Sequence, residues 1–273
     1  MPGSEGLSEA AMEVLRSPAN PRIRHAARLR TGRYRRRSGQ FVVDGLREIQ
    51  RAVAAGVRPV ELFLQTQQSE RLRQQHADLL AAPQLAHCQT LVAPAAFEKL
   101  AYGERNEGAV AVFETPSRTL EELRLPPSPL LLIADGVEKP GNLGAILRSA
   151  DAAGVDAVLC SDCATDLFHP NVIRASTATV FTLPAAACSG EAARSFLAAH
   201  GIQVVAARVD ASATMWQADL GGAVALLVGA EDRGLGPQWQ SQAIRIPMAG
   251  RADSLNVSVA AAVLAFEARR QRR

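Results

Sequence analysis

Four near-continuous apolar runs in the second half of the chain, at 130–134, 157–160, 202–206 and 224–228, constrain the fold more than any other feature. Each has strand length but no polar alternate position, so each must be covered on both faces. Helix-patterned stretches at 143–153 and 191–200 follow two of them, and strand–helix alternation of this kind builds a parallel sheet between helical layers. The first half reads as a small α/β domain. Phe41-Val42-Val43 is β-prone, 46–55 has helical spacing ending at Gly56, and 60–64 is strand-like again. A charged helix over 71–82, a short one over 97–101 and a closing strand over 109–113 complete it. Pro116, Pro126, Pro127 and Pro129 interrupt regular structure between the halves. The expected organisation is a domain over 1–115, a linker over 116–128 and a second domain over 129–273.

Composition narrows the function classes. No stretch approaches the roughly 18 uninterrupted apolar residues of a membrane span, and the N-terminus lacks the order of regions of a secretory signal; a soluble, cytoplasmic protein is expected. Cys88, Cys160, Cys163 and Cys188 are too few and too irregular for a disulfide framework. Cys160 and Cys163 form a Cys-x-x-Cys, but no second ligand pair follows at a zinc-finger spacing, so no metal is expected.

The net charge of +3 argues little, whereas its distribution argues more. Nine arginines and no acid fall between positions 16 and 37. Guanidinium groups grip phosphate in a fixed fork and release counterions as they do so. Arg22, Arg24, Arg30, Arg33, Arg35 and Arg36 are therefore candidate RNA contacts. Since Lys99 and Lys139 are the only lysines, compositional bias explains the residue type but not the missing acid.

Three blocks carry chemistry. Asp135-Gly136-Val137-Glu138-Lys139-Pro140-Gly141-Asn142-Leu143-Gly144 leaves a strand and opens a helix that continues to Arg148 and Ala150. Its glycines let backbone approach a ligand, and the helix start offers free N–H groups. A phosphate-binding loop needs Lys and then Ser or Thr after its second glycine; Asn142 and Leu143 stand there instead, which removes nucleotide hydrolysis. The second block, Leu227-Val228-Gly229-Ala230-Glu231-Asp232-Arg233-Gly234, ends a strand in glycines around Glu231. In the third, Ile246-Pro247-Met248-Ala249-Gly250-Arg251-Ala252-Asp253-Ser254-Leu255-Asn256-Val257-Ser258, Ser254 reads as a helix cap. A dinucleotide-binding fingerprint of spaced glycines is missing after the first strand.

In this order and separation the blocks resemble the signature motifs of the SpoU/TrmH class of SPOUT methyltransferases. Asn171-Val172-Ile173-Arg174-Ala175-Ser176-Thr177 followed by Phe181-Thr182-Leu183-Pro184 matches that class too. The resemblance covers about 130–270. More loosely, Phe41-Val42-Val43-Asp44-Gly45 and the helix after it resemble an RNA-binding domain related to a ribosomal protein fold; at Arg105-Asn106-Glu107-Gly108, relatives often carry a Pro-Gln-Gly-like sequence.

What the resemblance implies is a parallel sheet with a deep trefoil knot, a site completed across a homodimer, and S-adenosylmethionine as methyl donor. Carried onto this sequence, it makes Arg148, Asn142, Glu231, Ser254 and Asn256 catalytic residues. Val228, Gly229, Ile246, Met248, Ser254, Leu255 and Asn256 would hold the donor, and Arg174 joins the RNA contacts. The implied activity is 2′-O-ribose methylation of structured RNA, 23S ribosomal RNA ahead of transfer RNA. The alternative is a non-catalytic RNA-binding protein of ribosome assembly.

Overall fold

A computed structural model describes residues 13–102, 106–230, 235–236, 238–239 and 241–272. The chain divides into two compact units, Met1–Thr115 and Pro116–Arg273.

The first unit holds β1 (Val14–Leu15), α1 (Pro21–Arg28), α2 (Gly32–Ser38), β2 (Gln40–Asp44), α3 (Leu46–Ala54), β3 (Pro59–Gln65), α4 (Ser69–Gln75), α5 (Ala77–Leu80), α6 (Pro83–Ala86), β4 (Gln89–Val92), α7 (Pro94–Phe97) and β5 (Ala109–Glu114). Its five strands form a mixed sheet in the order β1-β4-β3-β5-β2. The arginine run is two helices rather than an extended basic arm. Asn20 caps α1 by accepting from the Arg22 N–H at 2.9 Å, Pro21 supplies a preset φ at the first position, and Ile23, Ala26 and Leu29 face the core. The single charged helix expected over 71–82 is broken. His76 leaves helical geometry at φ −132°, and Ala82, extended before Pro83, forces a new start. The short helix expected over 97–101 begins earlier, at Pro94, and ends at Phe97.

The second unit holds β6 (Leu130–Asp135), α8 (Pro140–Ala153), β7 (Ala157–Ser161), α9 (Pro170–Ala175), β8 (Ala185–Cys188), α10 (Gly190–Ala199), β9 (Gln203–Ala207), β10 (Ala213–Thr214), β11 (Val224–Gly229), β12 (Gln242–Arg245) and α11 (Val257–Gln271). The seven strands lie in the order β10-β12-β9-β11-β6-β7-β8, and every pairing is parallel. The central strands β6, β7 and β11 are buried almost throughout, as their unbroken apolar character requires. α8 starts on Pro140 and stops at Gly154, whose φ of +66° is left-handed. The stretch 116–128, expected as a linker, packs onto this unit. Leu120 joins the core, and the Arg118 guanidinium donates to the carbonyls of Phe181 (3.0 Å) and Val180 (3.2 Å). No helix of the described residues is long and apolar enough to cross a membrane.

Candidate active site

The carboxyl ends of parallel strands leave a crevice wherever neighbouring connections diverge. Here it forms a cavity of about 630 Å³ beyond β9, β11 and β12. β11 contributes Val228 and Gly229; the stretch after β12 contributes Ile246 and Met248, and the approach to α11 contributes Ser254 and Leu255. Residues from two distant blocks thus wall one space. Arg208, Val209 and Asp210, at the end of β9, also line it, together with Arg245 and Asp253. The sequence reading missed 207–210; their signal was position, directly after a predicted strand, because loop residues carry no pattern of their own.

The first block meets the third through side chains. Asn256, not Ser254, caps α11: its side chain accepts from the Ser258 N–H at 3.0 Å and the Ser258 hydroxyl at 2.6 Å. The reason is that α11 begins at Val257, two residues later than a Ser254 cap requires, which leaves Ser254 exposed in the cavity wall. The Asn256 amide also donates to Asn142 Oδ1 at 3.3 Å. Asn142 lies in the first turn of α8, whose N-cap is Lys139. Arg148 sits further along that helix, exposed to solvent and outside the residues that wall the cavity. Glu231 lies outside the described residues.

Behind α8 the strand ends are pinned. The Ser161 hydroxyl donates to buried Asp135 at 2.7 Å, and the Gly136 N–H donates to the Ser161 carbonyl at 2.8 Å. The Cys160 thiol donates to Cys163, which raises the Cys160 pKa and lowers that of Cys163, while Cys163 donates to the Ala134 carbonyl at 3.3 Å. Burial pushes Cys188 up to about 11. Arg174 is half-buried near the end of α9.

The candidate RNA arginines separate into two groups. Arg24, Arg33 and Arg36 point into solvent, as does Arg37, while the exposed Arg28 guanidinium stacks over the Tyr34 ring, 4.4 Å from its centroid. Arg22 is held by Glu13, Glu61 and Thr90. Arg30 donates to the carbonyls of Lys99, Leu100 and Ala101. Arg35, expected on the RNA surface, is 4 % exposed and donates to the Leu29 and Arg30 carbonyls, both at 2.8 Å. Its side chain closes the α1–α2 corner, so it offers no fork to a phosphate.

A parallel α/β unit with a ligand-sized cavity at its strand ends, preceded in the chain by a unit that exposes several arginines, is the make-up of a small-ligand-binding α/β protein. The chain belongs to the SpoU rRNA methylase family, whose model matches residues 129–266, and residues 20–111 match the MRM3-like substrate binding domain. It is 34% identical over 254 residues to a 23S rRNA (uridine(2479)-2′-O)-methyltransferase of Streptomyces viridochromogenes, covering 87% of this chain and 85% of the relative. A crystal structure of an RNA 2′-O ribose methyltransferase aligns with TM-score 0.81 and 42% identity, covering 95% of this chain and 99% of the other. The SpoU methyltransferase AviRb from Streptomyces viridochromogenes, crystallised with the cofactor AdoMet, aligns with TM-score 0.82 and 29% identity over 93% of this chain and 99% of that one.

Proposed function

We propose that this chain transfers the methyl group of S-adenosylmethionine to a ribose 2′-hydroxyl of 23S ribosomal RNA. The observation that carries the reading is the cavity beyond β9, β11 and β12. Its volume falls within the roughly 300–1,000 Å³ typical of small-ligand sites. Val228, Ile246, Met248 and Leu255 offer apolar walls to a purine and a methionine chain, and Gly229 lets backbone come close. The carboxylates of Asp210 and Asp253 line the same space and complement a sulfonium cation.

When bound, the donor supplies an electrophilic methyl group. A ribose hydroxyl is a weak nucleophile, so the protein must aim it and favour loss of its proton. A guanidinium makes a poor base; the role of Arg148 is to grip the neighbouring phosphate and stabilise developing negative charge on the oxygen. Asn142, held by Asn256, and Ser254 fix the geometry, and the family resemblance gives Glu231 a catalytic role beside them.

Three further proposals follow. β12, the strand that follows β11 in the chain, lies beyond β9, and 246–256 carries the chain back to α11, which packs on α8 and β11. This out-and-back order of elements supports a trefoil knot formed by the segments on either side of β12. α11 exposes Val259 and Phe266, which supports a two-fold homodimer that brings Arg148 to a complete site. The first unit grips substrate phosphates through Arg24, Arg33 and Arg36, and Arg174 adds a contact from the second.

The test is methyl transfer to large-subunit RNA with calorimetry of donor binding. Arg148→Ala is expected to keep donor affinity and lose at least a hundredfold in turnover at saturating RNA, on the order of one removed oxyanion donor. Near-normal turnover would reject the role, and a wild-type chain that binds no donor would reject the enzyme.

A further inference from the structure

The edge strand of the second sheet leads to an exposed tryptophan that the reading above leaves without a task. β10 runs parallel to β12, with Thr214 opposite Arg245. The next residue, Met215, donates its N–H to the Arg245 carbonyl at 2.9 Å, and Arg245 walls the cavity. Trp216 follows at once, so it stands at the carboxyl end of the strands, the side on which the cavity opens. It is 61% exposed, whereas Met215 before it is buried.

The perch is rigid. Gln217 closes a turn on Thr214, accepting at its side chain from the Thr214 N–H (2.8 Å) and hydroxyl (3.0 Å). The Arg245 guanidinium donates to the Ala211 carbonyl at 2.9 Å and ties the preceding loop down. Within that loop Val209 is 71% exposed and lines the cavity beside Arg208. A lone exposed apolar side chain needs no explanation. An exposed indole on a pinned backbone at the strand ends, on the side where Arg208 and Arg245 line the cavity, has the make-up of a platform for unpaired bases: a π-face for the ring and cations nearby for the backbone.

We propose that Trp216 stacks against an unpaired nucleobase of the RNA substrate close to the target ribose. The inference rests on the methyltransferase reading and adds a contact outside the arginine-rich unit. Stacking is indifferent to base identity, so Trp216 positions the strand and leaves selection of the nucleotide to other groups.

Four measurements on the full chain test it. Trp216→Ala should raise the KM for RNA by about 5- to 150-fold, the range for loss of one stacked base. Trp216→Phe, which keeps a ring, should recover most of that loss. Donor affinity by calorimetry should not move in either variant. Single-stranded oligoadenylate should quench the red-edge fluorescence of Trp216 and spare Trp239, which is 4% exposed. A KM within twofold of wild type for Trp216→Ala would overturn the proposal. So would lost donor affinity, which would make the indole a cavity prop, or a changed mass in light scattering, which would make it a protein contact. Absence of donor binding by the wild-type chain would instead refute the methyltransferase reading and leave the quenching result to judge Trp216.

Discussion

Gly144→Ala separates packing from helix propensity, because the two give opposite signs. Gly144 lies inside α8, where alanine is ordinarily the better residue by about 1 kcal/mol. A β-carbon there would lie 2.6 Å from the Ala175 β-carbon, 2.7 Å from the Val172 carbonyl oxygen and 2.9 Å from the Ser176 nitrogen. Comfortable separations are roughly 3.5–4.0 Å, so α8 and α9 would have to part by about 1 Å. Two of the three obstacles are backbone and cannot rotate away. Overpacking of this kind costs about 1–3 kcal/mol, here near the upper end. After the gain in propensity, a net loss of about 2 kcal/mol remains. For a unit of this size that corresponds to a fall of about 4–8 °C in Tm. Gly141→Ala is the control in the same helix, since nothing lies within 4 Å of its would-be β-carbon. Thermal unfolding of both variants, followed by far-ultraviolet circular dichroism, makes the comparison. A Gly144→Ala protein as stable as wild type, or more stable, would refute the reasoning.

The arginine run gives a second contrast. Arg35→Ala should cost about 2–3 kcal/mol in urea denaturation, because charge-assisted bonds to two carbonyls are lost, and Arg35→Lys should restore little, since an ammonium cannot reproduce the fork. Arg36→Ala should leave stability within about 0.5 kcal/mol and lower the salt slope of RNA binding by about 0.7–0.9; a stability loss equal to that of Arg35→Ala would contradict the division between internal and solvent-facing arginines. Among the cysteines, Cys163 holds its thiolate at lower pH than an ordinary thiol, while Cys188 is pushed up to about 11. At pH 8 the thiolate is the reactive form, so iodoacetamide should label Cys163 before Cys188 in a mass-spectrometric time course, and the reverse order would count against the Cys160–Cys163 hydrogen bond.

How much of this was legible in the sequence depends on whether a residue's environment is set locally. The strands β6, β7, β9 and β11 announced themselves because burial on both faces leaves no room for polar residues. The edge strand β10 and its neighbour β12 did not: Ala213–Thr214 is two residues long, and Gln242–Arg245 has only Ile244 buried. The helices of the arginine run were hidden for a related reason, since Ile23, Ala26 and Leu29 form a minimal apolar stripe among cations. Which arginines turn inward is a tertiary fact; Arg35 and Arg36 are neighbours of one type, and only the chain path around the α1–α2 corner tells them apart.

The site shows the same division. Val228, Gly229, Ile246, Met248 and Leu255, which wall the cavity, could be named only through the resemblance of their blocks to the SpoU/TrmH motifs. Their convergence could not be read from spacing, since 18 positions separate Val228 from Ile246 and the strand order places β9 between β11 and β12. That order is what makes the chemistry divisible. The cavity proposed for the donor is lined from the strand ends around β9, whereas Asn142 and Arg148 ride on α8, beside β6 and β7. Asn256 bridges the two parts by capping α11 and bonding Asn142. Arg148 has no such tether among the described residues and is exposed to solvent. The proposed dimer assigns that exposure a purpose: a guanidinium left outside its own chain's cavity is available to a site completed by a second copy. Mixing an Arg148→Ala chain with one disabled in the donor cavity would then restore part of the activity if the two come from different chains, and none if one chain supplies both.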